Sequence, residues 1–144
     1  MVAKEILINK DLASVYRFVE KTLCAAFKAK KDDLLGAENI YKLERGNGPG
    51  VNVRQVISEV EINRVLSFES FWGSDKVVTT YTLLEKEAGT TTVVLSENAF
   101  SNSQMRKYNY IFMSLPVLRS GTLKKLKRQL ENLKHAIEDE GVNK

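Results

Sequence analysis

The chain has 144 residues and is 43% hydrophobic and 28% charged, the balance of an ordinary soluble globular protein, and it is read as one domain over residues 1–144. No apolar run approaches the ~20 residues of a membrane helix, and the short apolar run at Met1–Lys10 is too charged for a signal peptide. Cys24 is the only cysteine, so no intramolecular disulfide can form, and the reading is a cytoplasmic protein.

The net charge of +4 is uneven. Residues 1–104 carry 13 basic and 14 acidic side chains, net −1, whereas residues 105–144 carry 9 and 4, net +5. An excess of this kind can attract phosphates or an anionic membrane, but lysines on the solvent side of a C-terminal helix are the favoured account. The chain shows no arginine–aromatic interleaving of the kind that single-strand binders use, so no nucleic acid is expected.

Val2–Asn9 is rich in β-branched residues and reads as a first strand. Asp11 is placed to cap a helix in which Leu12, Val15, Tyr16, Val19, Leu23 and Phe27 keep a three-to-four spacing. Leu34 and Leu35 form a short second helical turn ending at Gly36. From Ile40 to Phe100 the pattern changes to five strands: Ile40–Arg45, Val51–Glu61, Val65–Trp72, Val77–Lys86 and Thr90–Phe100. The turns between them fall at Gly46–Gly50, Asn63-Arg64, Gly73–Asp75 and Ala88-Gly89, too short for parallel crossovers, so the sheet is an antiparallel meander.

Ser101–Ser103 offers an N-cap for a helix carrying Met105, Tyr108, Ile111, Phe112 and Leu115, and Pro116 is expected to kink or break it. The last helix, starting near Ser120-Gly121, organises the rest. At about 100° per residue, Leu123, Leu126, Leu130, Leu133 and Ile137 share a sector of roughly 80°, while Lys124, Lys125, Arg128, Asn132 and His135 project elsewhere. Such a helix draws its stability from burying that stripe. A twisted sheet of six strands curls, and one long helix can fill its concave side. The fold class is therefore α+β: a curved antiparallel sheet of about six strands around a long C-terminal helix, in the order β-α-α-β5-α.

In this order of elements the chain resembles the START-like (SRPBCC, helix-grip) superfamily, which includes the birch-pollen allergen class, polyketide cyclases and many uncharacterised bacterial proteins. Ser58–Ser70 (SEVEINRVLSFES) looks like the family's central strand-turn-strand, and Gly89–Phe100 (GTTTVVLSENAF) like its last strand. Gly46–Gly50 (GNGPG) looks like the glycine-rich hairpin loop of the allergen class, although that loop is longer. The resemblance implies a cavity for an apolar or amphipathic molecule, a protein-interaction surface, or in some members catalysis.

Few residues suggest chemistry. His135 is the only histidine and lies on the polar face of the last helix, Cys24 sits beside a buried stripe, and no set of zinc ligands assembles, so no metal or cofactor is expected. The glycines at 46, 48 and 50 precede a strand, which excludes the phosphate-binding loops that open a helix. Glu97 reaches the interior only if Val93 and Leu95 point inward, and it is then a candidate general base. No residue is assigned as catalytic.

Alternation on the strands nominates an inner face of apolar walls with a few hydroxyls, as a small-molecule pocket requires. The candidate lining is Phe68, Trp72, Thr79, Tyr81, Leu83, Val93 and Leu95 from the sheet, with Tyr108, Phe112, Leu126 and Leu130 from the helices. Core packing satisfies the same residues, so both readings stand. The favoured function is non-enzymatic binding of a small hydrophobic or amphipathic molecule between sheet and C-terminal helix. The alternatives are an interaction module without a ligand and a cyclase/aromatase-like enzyme.

Overall fold

The computed structural model describes residues 2–45, 48–72, 75–101 and 116–142. Strand β1 (Val2–Ile8) leads into helix α1 (Leu12–Phe27) and a single 3-10 turn at Lys31–Asp33. Strands β2 (Glu38–Arg45), β3 (Gly48–Glu61), β4 (Val65–Trp72), β5 (Asp75–Glu87) and β6 (Thr90–Ser101) follow, and helix α2 (Pro116–Val142) comes last. The six strands form one antiparallel sheet in the order β1-β6-β5-β4-β3-β2. This is the helix-grip arrangement. The meander β2–β6 pairs each strand with its sequence neighbour, whereas β1 joins the far side of β6, with Ile6 opposite Val93 and Ile8 opposite Thr91.

Helix α1 starts where the Asp11 carboxylate accepts a hydrogen bond from the Ser14 amide at 3.1 Å. It ends at Lys28, whose φ of 52° turns the chain left-handed while the Ala29 amide donates to the Cys24 carbonyl at 3.0 Å. Val15, Tyr16, Val19, Leu23 and Phe27 of the expected stripe are buried, and Leu12 packs partly against them. Tight turns join the strands. Asn63, at φ 61°, carries the left-handed step between β3 and β4, and Gly89, at φ 86°, does so between β5 and β6.

Helix α2 lies along β1 and β6. Leu126, Leu130 and Ile137 of its stripe are buried and Leu133 packs beside them, joining Ile8, Leu66, Leu83, Val93 and Leu95 of the sheet and the apolar side of α1 in one core. The Phe27 and Phe68 rings meet edge to face with centroids 5.9 Å apart. Lys134 Nζ donates to the Leu7 carbonyl at 3.0 Å, which ties α2 to strand β1.

Three expectations need correction. The last helix does not start near Ser120-Gly121: Pro116 is the first residue of α2, where its missing amide costs nothing and its fixed φ suits the first turn, and the helix continues through Ser120 and Gly121. The second helical turn is not at Leu34-Leu35 but at Lys31–Asp33, because the Asp33 and Leu34 amides bond back to Lys30 and Lys31 and Leu34 drops into the core. The glycine turn is shorter than Gly46–Gly50, since Gly48, Pro49 and Gly50 already belong to β3. Pro49 is tolerated there because the β2–β3 register shifts between Leu43 and Arg45. The helix expected to carry Met105–Leu115 lies outside the described residues.

Two stability measurements follow from these contacts. Leu130→Ala should lower the unfolding free energy by about 2–5 kcal/mol in chemical denaturation, as for a fully enclosed leucine, whereas Leu84→Ala on the exposed side should change it by under about 0.5 kcal/mol. Asp11→Ala should cost about 1 kcal/mol at neutral pH through loss of the helix cap. The Ser14 hydrogen bonds hold the Asp11 carboxyl below its ordinary value of 3.8, so this contribution is present above that pH. It should fade as the pH falls further and the folded carboxylate protonates, bringing wild type and variant together.

Candidate functional site

The inner face of the sheet, towards α1 and α2, is divided by strand register into an apolar and a polar zone. In the apolar zone Val93 pairs with Leu83, and Leu95 with Tyr81, which pairs in turn with Leu66. Val93, Leu95, Leu83, Leu66, Leu126 and Leu130 are at most 1% exposed, so core packing takes up their surface. Phe68 and Tyr81 retain part of theirs.

In the polar zone Glu97 pairs with Thr79, Thr79 with Phe68, and Phe68 with Ile57. The next row outward sets Val77 against Ser70, Ser70 against Gln55 and Gln55 against Asn39. Here the side chains form a ladder: Asn39 Nδ2 donates to Gln55 Oε1 at 3.3 Å, and Gln55 Nε2 donates to Ser70 Oγ at 3.1 Å. Among the described residues nothing accepts the Ser70 proton, so the buried hydroxyl ends the ladder with a donor to spare.

Glu97 does follow Val93 and Leu95 to the inner face, and the Lys125 ammonium of α2 sits 2.9 Å from its carboxylate. The Glu97 side chain is only 16% exposed. Lys125 therefore does not simply project into solvent: its flexible stem reaches back over β6 to the carboxylate. Burial, and then the Glu97 charge, push the Tyr81 phenol above its ordinary value.

Of the other candidates, Thr79 is buried between Phe68 and Glu97. Trp72 closes β4 opposite Asp75. Tyr108 and Phe112 lie outside the described residues. Cys24 is half-buried, and burial together with the Glu20 charge pushes its thiol up, the opposite of what a thiolate nucleophile needs. His135 is exposed. Among the described residues no three metal-ligating side chains come together.

Two features escaped the sequence reading. Glu20 is 6% exposed on the buried side of α1, next to a Tyr16 hydroxyl that has no partner among the described residues. Burial, and then Glu20, push that phenol up to about 12. The helical wheel carried the signal, since Glu20 falls within about 20° of Phe27. The ladder Asn39–Gln55–Ser70 left none, because its members sit on three strands.

The outer face also shows an order invisible in the linear sequence. Arg54 pairs with Phe71, Phe71 with Lys76, and Lys76 with Phe100. The Arg54 guanidinium lies 5.4 Å from the Phe71 centroid and Lys76 Nζ 5.2 Å from that of Phe100. Cations and aromatics thus interleave across the strands although not along the chain. Glu38 pairs with Arg54 and Glu69 with Lys76, which leaves the row without the excess positive charge that a phosphate backbone requires.

No protein-family model matches the sequence, and no curated protein matches it. Solved structures do resemble the fold. A solution structure of a protein from Arthrobacter aurescens aligns with TM-score 0.61 at 12% identity, over 95% of this chain and 85% of that one. The protein DR_A0006 from Deinococcus radiodurans aligns with TM-score 0.60 at 12% identity, over 93% and 94%. DynU16, a protein of the dynemicin biosynthetic locus, aligns with TM-score 0.58 at 14% identity over 95% of this chain, which spans only 46% of that protein. The ZhuI aromatase/cyclase from a Streptomyces species aligns with TM-score 0.50 at 12% identity, over 94% of both chains. At these identities the likeness is one of fold.

The inner-face electrostatics can be read spectroscopically. Glu97→Gln should move the Tyr81 titration down towards its ordinary 10.0 by removing the neighbouring negative charge, while burial keeps it somewhat above that value. Tyrosinate difference spectra, with Tyr81→Phe to assign the transition, measure the shift. An unchanged transition would separate Glu97 from the phenol.

Proposed function

We propose that this chain is a START-like domain that binds a small amphipathic molecule on the inner face of its sheet, without chemical conversion, in the cytoplasm. The division of that face carries the proposal. A leucine- and valine-filled zone adjoins partly open Phe68 and Tyr81 rings, and beyond them stands a row of hydroxyls and amides ending at the buried Ser70 hydroxyl. A ligand with an apolar or aromatic body and one oxygen function at its end matches that division. The contact set is Phe68, Thr79 and Tyr81 with Gln55, Ser70 and Glu97. The leucines of α2, Leu126 and Leu130, with Leu83, Val93 and Leu95, form the floor behind it.

Fold neighbours support a small-molecule role, since one is an aromatase/cyclase and another belongs to a biosynthetic locus. A second reading, catalysis of the cyclase kind, draws on the Glu97–Lys125 pair beside Tyr81. It ranks lower because a carboxylate held in an ion pair must give up that partner to act as a base. Among the described residues no helix is long and apolar enough to cross a membrane.

Native mass spectrometry of the purified protein, followed by a calorimetric screen of hydroxylated aromatics and fatty acids, tests the proposal. A one-to-one adduct is expected, weakened about tenfold or more by Phe68→Ala or Gln55→Leu and untouched by Leu84→Ala on the outer face. An adduct insensitive to both inner-face variants, or no binding across the screen, would remove the proposal. Turnover of a bound molecule that Glu97→Gln abolishes would favour the enzyme.

A further inference from the structure

The two edges of the sheet are treated differently. Strand β1 runs beneath α2 and receives a hydrogen bond from Lys134 at the Leu7 carbonyl. Strand β2, the other edge, has no strand or helix paired along its free side among the described residues. Its side chains stand out from the surface, with Ile40 66% exposed and Tyr41 40% exposed. A bare edge bearing a large exposed isoleucine is a pairing template.

The hydrogen-bond phase of that edge can be read directly. The Ile57 amide donates to the Ala37 carbonyl at 3.0 Å and the Ile57 carbonyl accepts from the Gly36 amide at 2.9 Å, so both backbone groups of Ile57 face the β2 side. In an antiparallel ladder bonded and non-bonded pairs alternate. The pairs Asn39–Gln55 and Tyr41–Val53 are then bonded inward, while the amides and carbonyls of Glu38, Ile40 and Lys42 point out from the edge.

We infer that β2 is a homodimerisation edge, pairing antiparallel with β2 of a second copy about a two-fold axis at Ile40. In this register Ile40 faces Ile40 of the second copy, and Glu38 faces Lys42 of the second copy on both sides of the axis. All three positions present outward backbone groups, so the ladder forms without rearranging either sheet. The exposed isoleucines cover one another, and each Glu38, already paired with its own Arg54 at 2.5 Å, gains a second cation on the same face. On the opposite face Tyr41 lies against Asn39 of the second copy. Charge selects this register over its neighbours: a shift of two residues one way opposes Glu38 with Glu44, and a further shift opposes Lys42 with Lys42. A shift the other way leaves Lys42 facing Gly36, and the next sets Glu38 against Glu38.

Sedimentation equilibrium tests the inference through complementary charge reversals. The wild-type chain should sediment as a dimer. Glu38→Lys and Lys42→Glu should each weaken self-association about tenfold or more, since each turns both opposite-charge pairs into like-charge pairs. Mixing the two variants should restore a dimer, now composed of one chain of each, because Glu then faces Lys at every position. Circular dichroism checks that each variant folds. A wild-type monomer at every concentration loaded, a dimer indifferent to the reversals, or two variants that stay apart on mixing would each overturn it.

Discussion

The pairing of β1 with β6 is the contact on which the rest of this protein depends. It joins the first strand to the last across some ninety intervening residues, and only when it has formed does helix α2 find its seat, because α2 lies along these two strands. Ile8, Val93 and Leu95 from that pair and Leu126, Leu130 and Ile137 from the helix are all within 4% of complete burial. Neither partner is stable alone. A lone edge strand leaves its backbone groups in competition with water, and an amphipathic helix with an exposed leucine stripe has little intrinsic stability. The ladder and the apolar contact form together, and closing so long a loop is the entropic cost that they offset.

From this constraint comes the division of the inner face. The helices cover the sheet where α1 and α2 converge, and there the side chains are filled in by packing. Towards β3 and β2 the inward positions set Ser70, Gln55 and Asn39 among the buried Val53 and Ile57. A polar residue facing inward costs stability unless its hydrogen-bonding groups are satisfied. The Asn39–Gln55–Ser70 ladder joins these side chains through two hydrogen bonds.

The outer face shows the same economy of register. Arg54, Phe71, Lys76 and Phe100 are scattered over four strands, yet pairing gathers them into one row of alternating charge and ring, and Glu38 of β2 joins it through its ion pair with Arg54. The row ends at β2, whose outward backbone groups and exposed Ile40 give the edge its capacity to pair. The carboxylates of Glu38 and Glu69 balance the cations of the row.

Periodicity alone was enough to identify the meander, the cap at Asp11, the buried side of α1 and the leucine stripe of α2. Those features follow from local rules: alternation for a strand, three-to-four spacing for a helix, a short oxygen-bearing side chain at a helix start. The inward direction of Glu97 was conditional on Val93 and Leu95 in the sequence and became definite once β6 lay between β1 and β5. Tertiary structure alone decided the rest. It made Pro116 the first residue of α2, a turn ahead of the start expected near Ser120-Gly121. It brought Lys125 to Glu97, and it assembled the amide ladder and the cation–aromatic row from residues on several strands. Register between strands depends on turn lengths and on which face is buried, and no residue carries that information by itself.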